Sequence, residues 1–354
     1  MLSHTAAVIG AGSPPDADQP GFSIGYAHGA GYTELDDVDL VAVADRVPEF
    51  AARFADRFGI PTNRTYTDHV TLIEDVRPDI VSVCTPPETH RDLVVSCARA
   101  GVPAIHCEKP MALRWDDCQT MVTECTRHDV QLTINHQRRF VPRWRTPADL
   151  VQDGAIGTVR RIELAAPDLL DWGTHCFDLS GWYAGDVPAT WTFGQIGPAV
   201  MDRYGGAYEH ANETGAFATW AYENGIRGLA ATGEYTGLVG GDVYHRIIGT
   251  DGRIEIDGHG DVTLIRTGGA PETIGLEQAQ NGFAGAIADA IAALESAREP
   301  ALAGHRALHA TELIFGIWES ARRRDRVGFP LEISGNPLED MIESGTLPVR
   351  SGSS

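Results

Sequence analysis

Ala6-Ala-Val-Ile9-Gly10-Ala-Gly12 reads as a short apolar strand that ends in a glycine turn. A second apolar run, Asp39-Leu-Val-Ala-Val-Ala-Asp45, ends in an acidic residue. Between the two runs, residues 24–35 have the spacing of a helix. Strand, helix and strand in this order predict a β-α-β unit in which Gly10 and Gly12 let the backbone approach a pyrophosphate at a helix N-terminus.

The end of the second run predicts which cofactor this unit takes. Asp45 would accept hydrogen bonds from the ribose hydroxyls of an adenosine. A carboxylate repels the 2′-phosphate of NADP, so Asp45 favours NAD, while Arg46 beside it could accept that phosphate and keeps NADP open as an alternative. The glycine fingerprint is incomplete, because its third glycine would fall at Pro15, within a segment (13–23) that reads as an insertion into the turn.

Apolar runs and helical segments keep alternating up to residue 134. Helical spacing recurs at 50–58, 91–100 and 116–128, and buried-strand runs recur at 79–84, 102–107 and 130–134. Strands separated by helices of about ten residues predict a parallel, doubly wound α/β sheet. Ligands bind at the carboxyl ends of the strands in such sheets. Four strand-end segments should therefore converge on one crevice: 10–12, 45, 85–90 and 108–110.

Lysine occurs once in the chain. Of the 28 basic residues only Lys109 is a lysine, and it lies between a buried strand and Pro110. Arginine stays protonated in proteins, whereas lysine can lose its proton when it is desolvated. A lone lysine at a strand end therefore predicts a functional amine, which Glu108 beside it could orient or neutralise. The alternative is a structural lysine that closes a salt bridge.

Five further stretches form recognisable motifs. They are Thr85-Pro-Pro-Glu-Thr-His90, Cys107-Glu-Lys-Pro-Met-Ala112, Asn135-His-Gln-Arg-Arg-Phe140, Asp171-Trp-Gly-Thr-His-Cys-Phe-Asp178 and Ile248-Gly-Thr-Asp-Gly252. With them the sequence resembles the glucose-fructose oxidoreductase/inositol dehydrogenase (Gfo/Idh/MocA) family over nearly its whole length. The resemblance implies a Rossmann domain at 1–134 and a substrate and oligomerisation domain at 135–354, built on a large, mostly antiparallel sheet.

The resemblance also implies the roles of the site residues. Lys109 would be the catalytic lysine, Asp171 would orient it or the substrate, and His175 would be the acid/base. Thr85, Pro86 and His90 would line the nicotinamide side of the site for NAD or NADP, and Glu108 would be a further cofactor-binding residue. Family members commonly assemble into dimers or tetramers, so a homo-oligomer is expected.

The spacing of Asp171, His175 and Asp178 (i, i+4 and i+7) places them on one face of a helix. A surface ion-pair stripe, a metal site and an acid/base pair all have this spacing. A metal would need a further ligand and a second shell of partners, and no metal is predicted. Together with Lys109 and the resemblance, the acid/base pair is favoured, with a carboxylate holding His175. Asp178 is predicted to be structural, as is Arg139, and His28 is expected to serve packing.

The pattern changes after Phe140. Alternating runs typical of an antiparallel sheet lie at 158–164, 215–222, 227–231, 244–248, 253–256 and 262–267, and helices are predicted at 281–298 and 305–324. Only residues 165–170 separate the first of these runs from the Asp171 motif, which is short for the family. The short segment predicts a more open substrate site, or one that another subunit completes.

Composition excludes several kinds of partner. The chain has 354 residues and a net charge of −21, which disfavours binding to nucleic acids or to anionic membrane surfaces. It has no apolar run long enough to span a bilayer and no apparent signal peptide. The six cysteines form no CxxC pair and lie in apolar patterns, which predicts buried thiols in a reducing cytoplasm.

These patterns favour hydride transfer between NAD(P) and a secondary alcohol or ketone of a sugar, sugar derivative or cyclitol. His175 would take the hydroxyl proton while Lys109 stabilises the developing alkoxide charge. Two alternatives stay open. One is glycoside cleavage through a transient oxidation with retained NAD, and the other is a non-catalytic ligand sensor.

Overall fold

The computed structural model describes residues 4–14, 23–204, 208–239, 243–278 and 281–350. Pro15 and most of the predicted insertion lie outside the described residues. The chain forms two compact units: the first comprises residues 1–137, 203–209 and 281–308, and the second comprises 138–202, 210–280 and 309–354. No helix among the described residues is long and apolar enough to cross a bilayer.

The first unit contains a six-stranded sheet with helices between the strands. The strands are β1 (His4–Ile9), β2 (Val38–Ala44), β3 (Thr65–Tyr66), β4 (Ile80–Val83), β5 (Ala104–Cys107) and β6 (Gln131–Ile134). The helices are α1 (Ile24–Thr33), α2 (Pro48–Phe58), α3 (His69–Val76), α4 (His90–Arg99) and α5 (Trp115–Arg127). All neighbouring strands pair in parallel in the order β3-β2-β1-β4-β5-β6. This confirms the predicted doubly wound sheet, whose strand order is that of the Rossmann fold.

The rest of the chain adds twelve strands and five helices. The strands are β7 (Val159–Ala166), β8 (Ala189–Ile196), β9 (Ala199–Tyr204), β10 (Tyr208–Glu213), β11 (Ala216–Tyr222), β12 (Arg227–Thr232), β13 (Val243–Gly249), β14 (Gly252–Asp257), β15 (Val262–Arg266), β16 (Glu272–Ile274), β17 (Val327–Gly328) and β18 (Val349–Arg350). The helices are α6 (Pro142–Gln152), α7 (Gly173–Tyr183), α8 (Gly282–Ser296), α9 (Gly304–Arg323) and α10 (Pro337–Glu343). Single turns of 3-10 helix lie at Thr62–Arg64, Pro87–Thr89 and Gln137–Phe140, and a longer 3-10 segment lies at Gly233–Leu238.

A nine-stranded sheet organises the second unit, in the order β16-β15-β14-β13-β7-β12-β11-β8-β17. Only β7 and β12 pair in parallel, and the other neighbours are antiparallel. The predicted large, mostly antiparallel sheet is therefore confirmed. A smaller sheet has the order β10-β9-β18.

Helix α8 belongs to the first unit, in which respect the structure differs from the predicted division at residue 134. Ile287 and Ile291 of α8 are buried in one apolar cluster with Val8 of β1 and Phe54 of α2. Gly31 of α1 lies against α8 so closely that a Cβ there would approach Ile287 Cδ1 to 3.0 Å. Burial of such apolar side chains stabilises the fold by about 1.5–3 kcal/mol each. The chain therefore returns to the first sheet to bury the apolar face of α8.

All six cysteines are unpaired and buried, as the sequence predicts. Five of them lie on or beside β4, β5, α4 and α5: Cys84, Cys97, Cys107, Cys118 and Cys125. Burial raises the pKa of Cys97 and Cys125 to about 12, so their thiols are protonated at neutral pH. These cysteines act as small apolar core residues.

Candidate active site

The glycine turn after β1 is joined to the carboxylate that ends β2. Gly10 and Gly12 have φ angles of +90° and +73°, in the left-handed region that favours glycine. The Gly12 N–H donates to Asp45 Oδ2 at 3.0 Å, and the Val47 N–H donates to Asp45 Oδ1 at 2.9 Å. A carboxylate has about four acceptor positions, so both oxygens of Asp45 keep capacity for ribose hydroxyls.

The glycine turn is also in close contact with its neighbours. A Cβ on Gly10 would lie 2.6 Å from Thr85 Cγ2 and 2.9 Å from the Cys84 carbonyl carbon. A Cβ on Gly25, in the first turn of α1, would lie 2.6 Å from the Gly10 carbonyl oxygen. Only glycine permits these approaches, which bring the ends of β1 and β4 and the start of α1 together. The residues present thus fit a dinucleotide, with the start of a helix at the phosphate turn and an acid at the ribose position.

Lys109 follows β5 directly and is half-buried. Its backbone N–H donates to Glu108 Oε2 at 3.1 Å, and its peptide bond to Pro110 is cis. The Glu108 side chain thus holds the backbone N–H of Lys109. The structure agrees with the sequence in placing this amine at the carboxyl end of a buried parallel strand.

Glu108 is buried, with an exposed fraction of 3%, in a polar network beneath Lys109. Its Oε1 accepts from Asn135 Nδ2 at 2.6 Å and lies 2.8 Å from His28 Nε2. His28 Nδ1 lies 3.0 Å from Ser82 Oγ, which also bonds the Tyr32 hydroxyl. Burial alone would raise the pKa of Glu108, but the hydrogen bonds from His28 and Asn135 and the Lys109 charge outweigh it and lower the pKa to about 2.

Glu108 is predicted to bind the cofactor, and in the structure its oxygens accept from protein donors, one of them the backbone N–H of Lys109. His28 is predicted to serve packing, and its buried ring packs against His106 and Phe283, with ring centres 5.2 and 5.3 Å apart. His28 also connects Glu108 to Ser82 of β4. These hydrogen bonds have one physical cause: a buried polar group must find partners within the fold.

His90, which begins α4, is predicted to lie beside the nicotinamide. Its ring is fully buried, with Nε2 2.7 Å from the Thr85 carbonyl oxygen and Nδ1 3.0 Å from the Pro110 carbonyl oxygen. Burial lowers its pKa, against the opposing effect of these carbonyls. With both ring nitrogens turned towards backbone carbonyls, His90 ties the turn after β4 to the turn that carries Lys109. Thr85 and Pro86 are half-buried, and the Thr89 hydroxyl lies within hydrogen-bonding distance of the Thr85 hydroxyl and the Pro86 carbonyl oxygen.

In the second unit, Asp171 and His175 lie at the start of α7. The helix begins at Gly173, so Asp171 precedes it by two residues and His175 lies in its first turn. The predicted common helical face is therefore correct only for His175 and Asp178. All three side chains are buried, which excludes a surface ion-pair stripe. Among the described residues, no group of His, Cys, Asp and Glu side chains is arranged to hold a metal ion.

Asp178 and Arg139 have the structural roles that the sequence predicts. Arg139 Nε donates to Asp178 Oδ2 and Nη2 donates to Asp178 Oδ1, both at 2.8 Å. Arg139 also bonds both carboxylate oxygens of Asp186. The pair of carboxylates raises the pKa of Arg139 further above its ordinary value despite its burial. This bidentate network ties Arg139 to α7 and to Asp186 just after it.

Two buried carboxyl groups beside α7 are absent from the sequence-based prediction. Asp168 Oδ1 accepts from the Trp172 and Gly173 N–H groups at 3.0 and 3.4 Å, which caps the start of α7. Glu213 accepts from the Leu169 N–H at 2.8 Å and from Trp318 Nε1 at 2.9 Å. Burial, and then the charge of Asp171, raises the pKa of Asp168 to about 6. Burial, and then the charge of Asp168, raises the pKa of Glu213 to about 7.

The fold and the residues at the strand ends define the class of protein. Comparison with known families identifies the family. A family model described as "Oxidoreductase family, NAD-binding Rossmann fold" matches residues 6–136. Its companion, "Oxidoreductase family, C-terminal alpha/beta domain", matches residues 150–329. The chain belongs to this family, Gfo/Idh/MocA, as its motifs indicate. It is an NAD-binding oxidoreductase.

Individual proteins similar to this chain carry the names of dehydrogenases and oxidoreductases, which agrees with the family. Myo-inositol 2-dehydrogenase of Thermotoga maritima is 26% identical over 260 residues, which cover 69% of this chain and 75% of that protein. D-apiose dehydrogenase of Paraburkholderia graminis is 34% identical over 137 residues, 39% of this chain and 35% of that protein. The crystal structure of aldose-aldose oxidoreductase from Caulobacter crescentus, complexed with glycerol, matches with a TM-score of 0.76 at 22% identity, covering 92% of this chain and all of that one (100%). At this identity the structural match shows the shared fold.

Proposed function

We propose that the protein transfers a hydride between NAD and a secondary alcohol or ketone of a sugar, sugar derivative or cyclitol. The family membership supports this function, and so do the names of the relatives, which are dehydrogenases of inositol and of apiose. One observation carries the proposal: the only lysine of the chain lies at the carboxyl end of β5, and buried Glu108 and His90 hold the turn around it.

Cofactor binding is assigned to residues at the ends of β1, β2 and β4. Gly10 and Gly12 would approach the pyrophosphate, and Asp45 would accept from the adenosine ribose, with Arg46 as the residue that could admit NADP. Thr85 and Pro86 would lie beside the nicotinamide. When bound, NAD supplies the hydride acceptor, and the protein supplies orientation and proton transfer.

The proton chemistry is assigned to three side chains. His175 would accept the hydroxyl proton of the substrate, and Lys109 would donate a hydrogen bond to the same oxygen, which stabilises the negative charge that develops there. Asp171 would keep these groups oriented. In the reverse direction His175 would return the proton to the alkoxide oxygen.

The remaining expectations belong to the same proposal. We expect a small sugar or polyol as the partner, a cytoplasmic location, and a homo-oligomer, either a dimer or a tetramer. The six unpaired thiols support a reducing compartment, and the net charge of −21 opposes binding to nucleic acids or anionic membranes.

Substitution of Lys109 tests the function. A panel of sugars, polyols and inositols with NAD, followed at the NADH absorbance, should identify a substrate. With it, Lys109→Ala and His175→Asn should each lower kcat by about 10²–10⁴-fold, because each removes a group that acts on the reacting oxygen. Affinity for NAD should stay within about threefold of the wild type, since neither residue is assigned to cofactor binding. The exposed Arg57 of α2 offers a control, Arg57→Ala, which should retain full activity.

Unchanged turnover in Lys109→Ala would contradict the catalytic assignment. Release of a free aglycone from a glycoside without net formation of NADH would instead indicate glycoside cleavage with retained NAD. Binding of a sugar with no turnover of any compound in the panel would indicate a ligand sensor.

A further inference from the structure

Arg138, the first residue of the second unit, carries a charge that the fold does not neutralise. Its guanidinium carbon lies 5.6 Å from the centre of the Trp144 ring and 5.4 Å from that of Trp172. Its Nη1 lies 3.8 Å from Cys176 Sγ, a weak acceptor. Among the residues that the structure describes, no carboxylate pairs with it. A guanidinium has five N–H donors, so most of them are left without a protein acceptor.

The neighbouring residue, Arg139, is an example of an arginine with a structural role in this protein. Arg139 bonds four carboxylate oxygens, those of Asp178 and Asp186, and is buried. Arg246 similarly pairs with Glu163 and Glu255. In a protein with 49 acidic and 28 basic residues, carboxylate partners for arginine are abundant. Half-buried Arg138 differs from Arg139 and Arg246 in lacking such a partner among the described residues.

The side chains around Arg138 are positively charged or neutral. Arg143 lies over the same Trp144 ring, 4.7 Å from its centre, and burial together with the charge of Arg138 lowers the pKa of Arg143. Burial raises the pKa of the Cys176 thiol to about 11, so it offers no negative charge at neutral pH. Burial lowers the pKa of His245, close to Arg138, to about 4. Asp168 also acts on the pKa of Cys176, and it already accepts from two backbone N–H groups.

Arg138 also lies beside the proposed catalytic segment. Trp172 follows Asp171 directly, and Cys176 follows His175. The Trp172 ring is 48% exposed, although large aromatic side chains are usually buried. An exposed indole beside a cation is suited to a sugar, because its face packs against C–H groups while the guanidinium binds a charged substituent.

We propose that the substrate is a sugar or polyol that carries an anionic group, a carboxylate or a phosphate, which Arg138 binds while the ring packs on Trp172. Arg143 raises the positive potential at the same place. The guanidinium is already held between two indole rings, so little side-chain entropy is lost when it binds a planar or tetrahedral anion. This inference deepens the proposed function, because it names the substrate class of the same site.

Matched ligands that differ at one carbon test the proposal. D-Glucose, D-glucuronate and D-glucose 6-phosphate form one set, D-galactose, D-galacturonate and D-galactose 6-phosphate a second, and myo-inositol with its 1-phosphate a third. Binding is measured from the shift in melting temperature, with and without NAD and at constant ionic strength. This readout reports binding whether or not any turnover occurs. Initial rates of NADH formation are recorded in parallel.

In the wild type, at least one anionic member should bind about tenfold or more tightly than its neutral counterpart. Arg138→Gln should weaken binding of that anion about 10- to 100-fold and change binding of the neutral compound less than about threefold. Trp172→Ala should weaken both. Arg145→Gln is the control, because Arg145 is close to Arg138 in the sequence, is exposed on α6 and pairs with Asp149. It should bind all ligands as the wild type does. The carboxylate and phosphate arms identify which anion the site takes.

Three results would overturn the proposal: equal affinity for neutral and anionic members, equal weakening of both by Arg138→Gln, or no Arg138-dependent shift with any compound. Dissociation of an oligomer in Arg138→Gln, without any anion-dependent shift, would also overturn it by assigning the arginine to a subunit contact. Anion binding that depends on Arg138 but yields no NADH would uphold the anion site and reject the proposed redox function. NADH formation from a neutral polyol, with no anionic member of any set binding more tightly than its neutral counterpart, would do the reverse.

Discussion

Single residues of the same chemical type have different roles in this protein because their burial and partners differ. Lys109 is half-buried at a strand end, whereas Arg139 is enclosed by two carboxylates that fix it as a structural cation. Glu108 is ionised within a network of donors, while the equally buried Glu213 has a pKa near 7 because burial and Asp168 oppose its charge. Local chemistry in the folded state, more than residue type, assigns these roles.

Glu213 gives a prediction about pH and stability. Its pKa is raised from 4.5 to about 7, so the folded state holds a proton that the unfolded state releases. Its contribution to stability is fully present below pH 4.5 and is lost as the pH rises through 7. Relative to the wild type, Glu213→Gln should therefore gain about 2–3 kcal/mol in the free energy of unfolding between pH 5 and pH 8. Urea unfolding at each pH measures this difference.

The comparison between variants removes the effect of other groups, such as His90, His106 and His245, whose pKa burial lowers in the folded state and which therefore also make stability depend on pH. The exposed Glu223 provides the control, since Glu223→Gln should show no pH-dependent change relative to the wild type. A difference between Glu213→Gln and the wild type that stays constant from pH 5 to pH 8 would show that Glu213 is not protonated in the folded protein.

At the scale of secondary-structure elements, the turns that follow the strands carry the candidate site residues, and the strands position those turns. The apolar runs predict the strands and helices of the first unit to within a few residues, because buried parallel strands and amphipathic helices have distinct periodicities. Helix α3 and strands β8–β10 have no such signal and are absent from the prediction. Helix α3 is short, and Asp68, which caps it through the Thr71 N–H, resembles any acidic residue of a loop.

Gly10 tests the importance of the turn after β1. Gly10→Ala would place a methyl group 2.6 Å from Thr85 Cγ2 at a φ of +90°, so the ends of β1 and β4 must separate. We expect the Kd for NAD to rise at least about tenfold and the melting temperature to fall. Fluorescence titration with NADH and thermal unfolding measure the two effects.

Gly59 is the matched control for this substitution. It also has a positive φ, +71°, at the end of α2, but no atom lies within 4 Å of a Cβ placed there. Gly59→Ala should cost about 1–2 kcal/mol in stability from the backbone conformation alone and leave NAD affinity unchanged. An equal loss of NAD affinity in both variants would show that backbone strain, and not the contact with Thr85, is responsible.

The whole molecule depends on a segment that lies far along the chain from the sheet it covers. Helix α8 buries Ile287 and Ile291 against the first sheet, although more than a hundred residues of the second unit precede it in the sequence. We predict that a fragment of residues 1–137 will not unfold cooperatively, because it exposes the apolar surface that α8 covers. The same fragment joined to residues 281–308 through a glycine-serine linker should regain a cooperative thermal transition.

Circular dichroism during heating distinguishes the two fragments. Equal, cooperative melting of both would show that α8 is dispensable for the first unit. Loss of cooperativity in both would show that further residues of the chain are required to complete it.

The sequence by itself determined the alternation of strands and helices, the strand-end positions of Gly10, Asp45 and Lys109, and the family, because periodicity and motifs are local properties of a chain. Only the tertiary structure decided that Glu108, His28 and His90 face inward, that Asp168 and Glu213 are buried beside α7, and that Arg138 has no carboxylate partner within the described ranges of the chain. These properties depend on which groups the fold brings within hydrogen-bonding distance and away from water. Such neighbours are far apart in the sequence, so no local pattern records them.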